Sequence, residues 1–270
     1  MPPPWPPRSD QVSTHQVLAE ETDPAQAMGY VAAEVPAAVL KAPVESPVPA
    51  ATEPIPARVV HDTRFGQLLE KFRDCEIREG GKAAGKMQDV LLDKFFEACE
   101  LYRDMLSKLG RAASVVVGDI EHNLGKSKAV YLEAPEERKT LTAYLQLPAS
   151  HVGIEKITWL LRGVEFFLTM IKLIFTPESG GNPAVEAYQQ TLMQYHGWML
   201  QQTVKLGMRA MPSKEGIVQS EGLVLGDASP EQRKTLCERD APPASAAGIE
   251  VVKWMIELMK IEGKWDAKKA

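Results

Sequence analysis

Cysteine is scarce. Three thiols (Cys75, Cys99 and Cys237) lie far apart in 270 residues, with no CxxC and no Cys/His ligand spacing. That pattern excludes a disulfide framework and a cysteine-bound zinc site, and it reads as reduced thiols in a cytosolic protein. Positive charge is also short. With 31 Lys and Arg against 36 Asp and Glu, the net charge is -5, which argues against a nucleic-acid binder, because phosphate neutralisation needs a basic surface. No apolar run reaches the roughly 18 residues of a membrane span. The best stretch, Ile157 to Phe175, is interrupted by Arg162, Glu165 and Lys172. The N-terminus lacks the basic-then-apolar order of a signal peptide and is too acidic and proline-rich for a transit peptide. There is no nucleophile elbow, phosphate loop or metal spacing. No catalytic residue, metal or cofactor is therefore expected.

What is present divides the chain. Twelve of the twenty prolines precede Val59, so residues 1–58 read as a disordered Pro-rich tail. A Pro-rich ligand for a partner's recognition domain is one use for it, and a plain linker is the commoner one. Residues 59–85 read as a short helix, Asp62 to Cys75, and a Gly-rich linker at Gly80, Gly81 and Gly85. From residue 86 to 270 the apolar spacing is helical almost throughout. Helices are expected over Met87–Leu109, Ala112–Leu132, Glu136–Leu147, Ile154–Phe175, Pro183 to about Met211, and Ala247–Ile261. The stretch from Ser213 to Ser245 is mixed, with one helix after Ser229-Pro230. No strand stands out. The fold class is all-α, a two-layer helical sandwich.

A helix that runs unbroken through His196 would turn this ring inward with Tyr188, Leu192, Tyr195, Met199 and Leu206. Gln194, Trp198, Gln201, Gln202, Lys205 and Arg209 would then face out. A buried polar ring needs a partner, and an exposed Trp beside cations suits a membrane interface. On the second helix, Asp119, Asn123 and Lys126 stand at i, i+4 and i+7 and share a stripe. On spacing alone that stripe is a solvated face, Trp159 is a core indole, and His196 is a satisfied core histidine.

Taken together and in order, these segments resemble a known family. Asp119-Ile-x-x-Asn123-x-x-Lys126-x-Lys-Ala-Val-Tyr131, then Trp159-Leu-x-Arg162-Gly-x-x-Phe166, then Ala187-Tyr-x-x-x-Leu192-x-x-Tyr195-His196-Gly-Trp198 with Pro212 following, are similar to the glycolipid transfer protein family. The resemblance runs from about Lys86 to the C-terminus. It implies a sphingolipid held with its chains between two helical layers and its headgroup at a surface site. Asp119 and Asn123 would bond the first sugar and the amide region, Lys126 would donate to sugar hydroxyls, Trp159 would lie beneath the sugar, and His196 would donate to the ceramide carbonyl. Trp198, with Lys205 and Arg209, would make the transient membrane contact. The chain pocket would be lined by Leu91, Phe95, Val116, Ile120, Phe166, Met170, Leu192 and Met199.

Relatives that carry ceramide-1-phosphate have Lys and Arg where this chain keeps Asn123 and Trp159, so the resemblance implies a glycosphingolipid rather than a phosphate. Leu161, where the glycolipid branch often has a basic residue, and Arg209, aromatic in some relatives, depart from the pattern, and the Pro-rich tail is not a family feature. The expected function is a non-enzymatic carrier that acts in the cytosol. The alternatives are a sphingolipid sensor or adaptor signalling through the tail, a ceramide-1-phosphate carrier, and, least favoured, an enzyme using Asp119, His122 and His196 as acid–base groups.

Overall fold

The computed structural model describes residues 62–81, 85–110, 113–176 and 181–266. The Pro-rich tail expected at 1–58, and with it any partner contact of that tail, lies outside the described residues. The first helix, α1 (Arg64–Asp74), starts where the Thr63 hydroxyl accepts from the Gly66 amide at 2.9 Å. Its Phe65, Leu68 and Phe72 are buried in the same core as every later helix. Each such side chain contributes about 1.5–3 kcal/mol by leaving water. The helix read ahead of the domain thus packs into the domain's core, whereas the described glycines of the linker, Gly80 and Gly81, are exposed.

Beyond α1 the chain forms a small antiparallel hairpin, β1 (Glu76–Arg78) and β2 (Met87–Val90), with Glu76 opposite Val90 and Ile77 opposite Asp89. This corrects two expectations: a strand is present, and the helix read from Met87 begins only at α2 (Leu92–Ser107). Asp89 is the physical cause. Its carboxylate accepts from the Val90 amide at 2.8 Å and from the Thr142 amide at 3.2 Å, while the Leu91 amide donates to the Cys75 carbonyl. Backbone groups that a helix would have used are already committed.

Helices α3 (Ser114–Leu132), α4 (Leu141–Tyr144) and α5 (Val152–Phe175) follow. The helix expected over Glu136–Leu147 shrinks to a single turn, because Arg138 ties the preceding stretch back to the Val130 carbonyl and to Glu133. Next come α6 (Pro183–Gln190), a 3-10 turn (Leu192–Tyr195), α7 (Trp198–Arg209), α8 (Lys214–Val218) and α9 (Pro230–Ile261). The single helix expected from Pro183 to Met211 is therefore broken, at Thr191 (φ -122°, ψ -80°) and again at His196 and Gly197, both extended.

The opposite correction applies to α9. Its 32 residues run through Pro242 and Pro243 and join the helix expected after Ser229-Pro230 to the one expected over Ala247–Ile261. Two interior prolines remove two amide donors and normally cost about 3 kcal/mol or more. Here Ala241, Ala244 and Ser245 are buried on both sides of the step, and Thr63 donates to the Asp240 carboxylate at 2.6 Å.

The helices close a circuit: α5 packs on α9, α9 on α1, α1 on α2, α2 on α3, and α3 back on α5. This is a two-layer helical sandwich around one apolar interior. Where α9 crosses, Gly248 is required. A Cβ there would stand 2.6 Å from Phe72 and 2.7 Å from Leu168. No helix among the described residues is long and apolar enough to cross a membrane.

Candidate functional site

Three elements bring the polar residues together beside the contact between α3 and α5. On α3, Asn123 is only 3% exposed, and its amide donates to the Asp119 carbonyl at 2.9 Å and the Asp119 carboxylate at 3.2 Å. The outer edge of Asp119 is exposed, but its carboxyl leans into the cluster. Burial pushes its pKa up, while the Asn123 bond and the nearby His122, His196 and Lys156 charges pull it back. Lys126, one turn on, is exposed.

On α5, Trp159 is half-buried. The His196 ring lies nearly parallel to it, at 25° and 6.2 Å between centroids. The break after Thr191 delivers His196 here, and the Tyr188 hydroxyl fixes it, 2.9 Å from Nδ1. Burial lowers the pKa of His196 and the positive charge of Arg162 adds to this, against the pull of Asp119. The imidazole is therefore neutral at pH 7. The structure thus gathers Asp119, Asn123, Trp159 and His196, with Lys126 at the rim.

Sequence reasoning gave no site role to four side chains here. Tyr188 positions His196 across a chain break that helical spacing does not foresee. Lys156 lies close enough for its charge to act on Asp119. Arg162, read as one of three charges interrupting the apolar run Ile157 to Phe175, is 2% exposed. Its guanidinium sits 4.4 Å from the Trp159 centroid, 3.7 Å from Tyr195 and 5.3 Å from Trp265, and it donates to the Asp266 carbonyl. Contacts of this kind attract a cation to the ring face. Trp265, the fourth, could have been noticed only as a lone aromatic just past the last helix.

The residues expected to line the chain pocket divide. Phe95, Ile120, Phe166 and Met170 are buried, and Leu91, Val116 and Leu192 are half-buried. Met170 also borders a cavity of about 300 Å³ with mixed walls, Ile174, Ala184, Met211 and Ile217 on one hand and Asn182, Ser213 and Lys214 on the other. Met199 is a correction, being 77% exposed. The break at His196 and Gly197 shifts the helical phase, so Met199 and Leu206 turn outward instead of following His196 in. With Trp198 and Leu200 they form an exposed apolar strip on α7. Of the cations expected beside Trp198, Arg209 is exposed and Lys205 half-buried. The Gln201 amide staples the start of this strip by donating to the Met193 and His196 carbonyls at 3.0 and 2.8 Å. A larger open cleft of about 800 Å³, lined by Arg73, Glu76, Arg78 and Glu250 among others, shares no residue with the polar cluster.

Comparison with known proteins gives this arrangement a context. Residues 90–222 match the family model for glycolipid transfer protein. Glycolipid transfer protein 1 of Arabidopsis thaliana is 25% identical over 147 residues, which cover 51% of this chain and 73% of that protein. Further relatives are pleckstrin homology domain-containing proteins, of whose length the chain spans only 33–42%. Among solved structures, one describing how FAPP2 selects simple glycosphingolipids using the GLTP-fold superposes with a TM-score of 0.65 at 22% identity, covering 77% of this chain and all of that one. Mouse ceramide-1-phosphate transfer protein, in its apo form, gives 0.59 at 19%, covering 75% and 98%. The helical sandwich is thus the fold of that group, and the chain carries a glycolipid transfer protein family domain.

Proposed function

We propose that this chain binds a glycosphingolipid and carries it between membranes from the cytosol, without chemical change to the lipid. One observation carries the reading: a carboxylate–amide pair, a half-buried indole and a half-buried imidazole converge beside the apolar interior of a helical sandwich. The indole offers a flat face to a sugar ring, and the Asp119–Asn123 pair offers acceptors and a donor to hydroxyls and an amide N–H. Burial keeps the Tyr188 phenol protonated. When it donates to Nδ1 of His196, the imidazole proton sits on Nε2 and is free to bond a carbonyl.

Chain burial in the protein and in a bilayer nearly cancel at about 0.8 kcal/mol per methylene, so selectivity resides in the polar cluster. Each group left unpaired there costs about 1–3 kcal/mol. A diacylglycerol, which lacks the amide, leaves Asp119 and His196 short of partners. The exposed apolar strip around Trp198, with Arg209 and Lys205, supports brief docking at a membrane surface.

A second reading, a ceramide-1-phosphate carrier, is favoured by one feature: Arg162 is buried beside Trp159 and its Nε has no hydrogen-bond partner among the described residues. Vesicle-to-vesicle transfer of glucosyl- or galactosylceramide against ceramide-1-phosphate separates the two. The sugar lipid should move at least tenfold faster. Trp159→Ala and Asp119→Val should each remove most of that transfer with helical content unchanged. Full activity in both variants would refute the site.

A further inference from the structure

Beneath the polar cluster lies one group that the lipid reading leaves unused. Tyr102 on α2 is fully buried, and its ring stacks on Phe167 of α5 at 5.1 Å and 28°. Its hydroxyl has no hydrogen-bond partner among the described residues. A buried hydroxyl without a partner is costly, and phenylalanine would fill the same space without that cost.

Its position suggests why a hydroxyl stands there. Gly163 of α5 faces Ile120, so that a Cβ on the glycine would lie 3.7 Å from the Ile120 side chain. Phe167 is one turn, about 6 Å, further along α5. Tyr102, stacked on Phe167 and fully buried, thus stands about one turn of α5 from the level of Ile120 and its neighbour Asp119. It is close enough for the Asp119 charge to act on the phenol, which burial keeps protonated. With a lipid amide at Asp119 and His196, the first carbons of the two chains would pass this point.

We propose that the Tyr102 hydroxyl pairs with a hydroxyl borne on the hydrocarbon part of the lipid, within a few carbons of the amide, and makes this chain selective for hydroxylated sphingolipids. The proposal rests on the sphingolipid reading above. Phenol and aliphatic hydroxyl can each donate and accept. Apart, both are stranded in an apolar interior, whereas together each satisfies the other. A site built to bond a hydroxyl discriminates strongly against the analogue that lacks it. The hydroxyl has two possible sources, a 2-hydroxyacyl chain or a 4-hydroxylated sphingoid base.

The test uses the full chain and three glucosylceramides of equal chain length: one 2-hydroxyacylated, one with a 4-hydroxylated base, and one with neither. Transfer is measured in competition between vesicles. The wild type should favour one hydroxylated lipid by about tenfold over the plain one, which identifies the source. In Tyr102→Phe that ratio should fall to about one. Equal handling of all three by the wild type, or a preference that survives in Tyr102→Phe, overturns the proposal while leaving the carrier reading intact. Failure to move any of the three overturns both. Thermal melts of the lipid-free proteins guard against a purely structural role. Tyr102→Phe should melt at or above the wild-type temperature, and a clear fall would mean the hydroxyl already has a partner and would count against the proposal.

Discussion

Helix α5 and the stretch 183–209 pack against each other, yet one runs 24 residues unbroken and the other leaves helical geometry twice. Helix α5 is covered by α9, α3 and α6, and most of its circumference is buried, so an uninterrupted backbone ladder is the only way to satisfy its amides. In 183–209 the groups freed at the breaks are taken up locally. Thr191 donates to the Ala187 carbonyl, Gln201 serves two carbonyls, and Tyr188 holds His196. The unbroken helix provides a fixed floor for Trp159. The broken one turns an imidazole toward that floor and then leaves Trp198, Met199, Leu200 and Leu206 exposed. Stability should therefore concentrate where α5 meets α9 and α1, and binding where α5 meets the broken stretch.

Substitutions can break that division, and the largest effect belongs to the stable side. Phe72→Ala removes a fully buried ring between α1 and α9 and should cost about 3–5 kcal/mol in chemical denaturation. Gly248→Ala should cost less, about 1–3 kcal/mol, because Phe72 and Leu168 must shift to admit one methyl. If either variant unfolds at the wild-type midpoint, the core is not centred on this crossing.

These two sides were unequally legible in the sequence. Helix α5 could be read almost to its ends, since its apolar periodicity reflects its own burial and needs no distant partner. The site motifs were legible for a similar reason: Asp119 and Asn123 meet across one helical turn. What stayed hidden depends on contacts far apart in the chain. Arg162 looks like a surface charge until Trp265 and Asp266 fold over it from more than a hundred residues away. Met199 looks inward-facing until the backbone breaks at Gly197. Pro242 and Pro243 signal a stop that the packing of α9 on its neighbours overrides, and only the fold reveals that Phe65 and Phe72 belong to the same core.

On the binding side the expected stability effects are small, and one has the opposite sign. Burial raises the pKa of Asp119 in the folded chain. The charged carboxylate is therefore penalised in the folded state relative to the unfolded one, throughout the range where both are ionised. Asp119→Asn should raise the melting temperature of the lipid-free protein at pH 7. The gain should fade as the pH falls through the raised folded pKa and vanish below about 3.9, where folded and unfolded chains are both protonated. The same variant should transfer glycolipid poorly. A melting temperature lowered at pH 7 would show that the carboxylate is held by structural bonds and not reserved for a ligand.

The smallest expected change in stability is at Trp198, which is 73% exposed. Replacing it with Ser removes little packing, so denaturation should be unaffected to within about 0.5 kcal/mol. Transfer should nevertheless slow, because the indole is the largest apolar surface on the α7 strip and belongs to the residue class that anchors at the membrane interface. Sedimentation with vesicles, scored beside intrinsic affinity for a soluble short-chain glycolipid, distinguishes docking from binding. Trp198→Ser should lose vesicle association and keep the soluble affinity, whereas Trp159→Ala should do the reverse. If both variants lose both properties, headgroup recognition and membrane contact are one surface, and the break at His196 and Gly197 does not separate them.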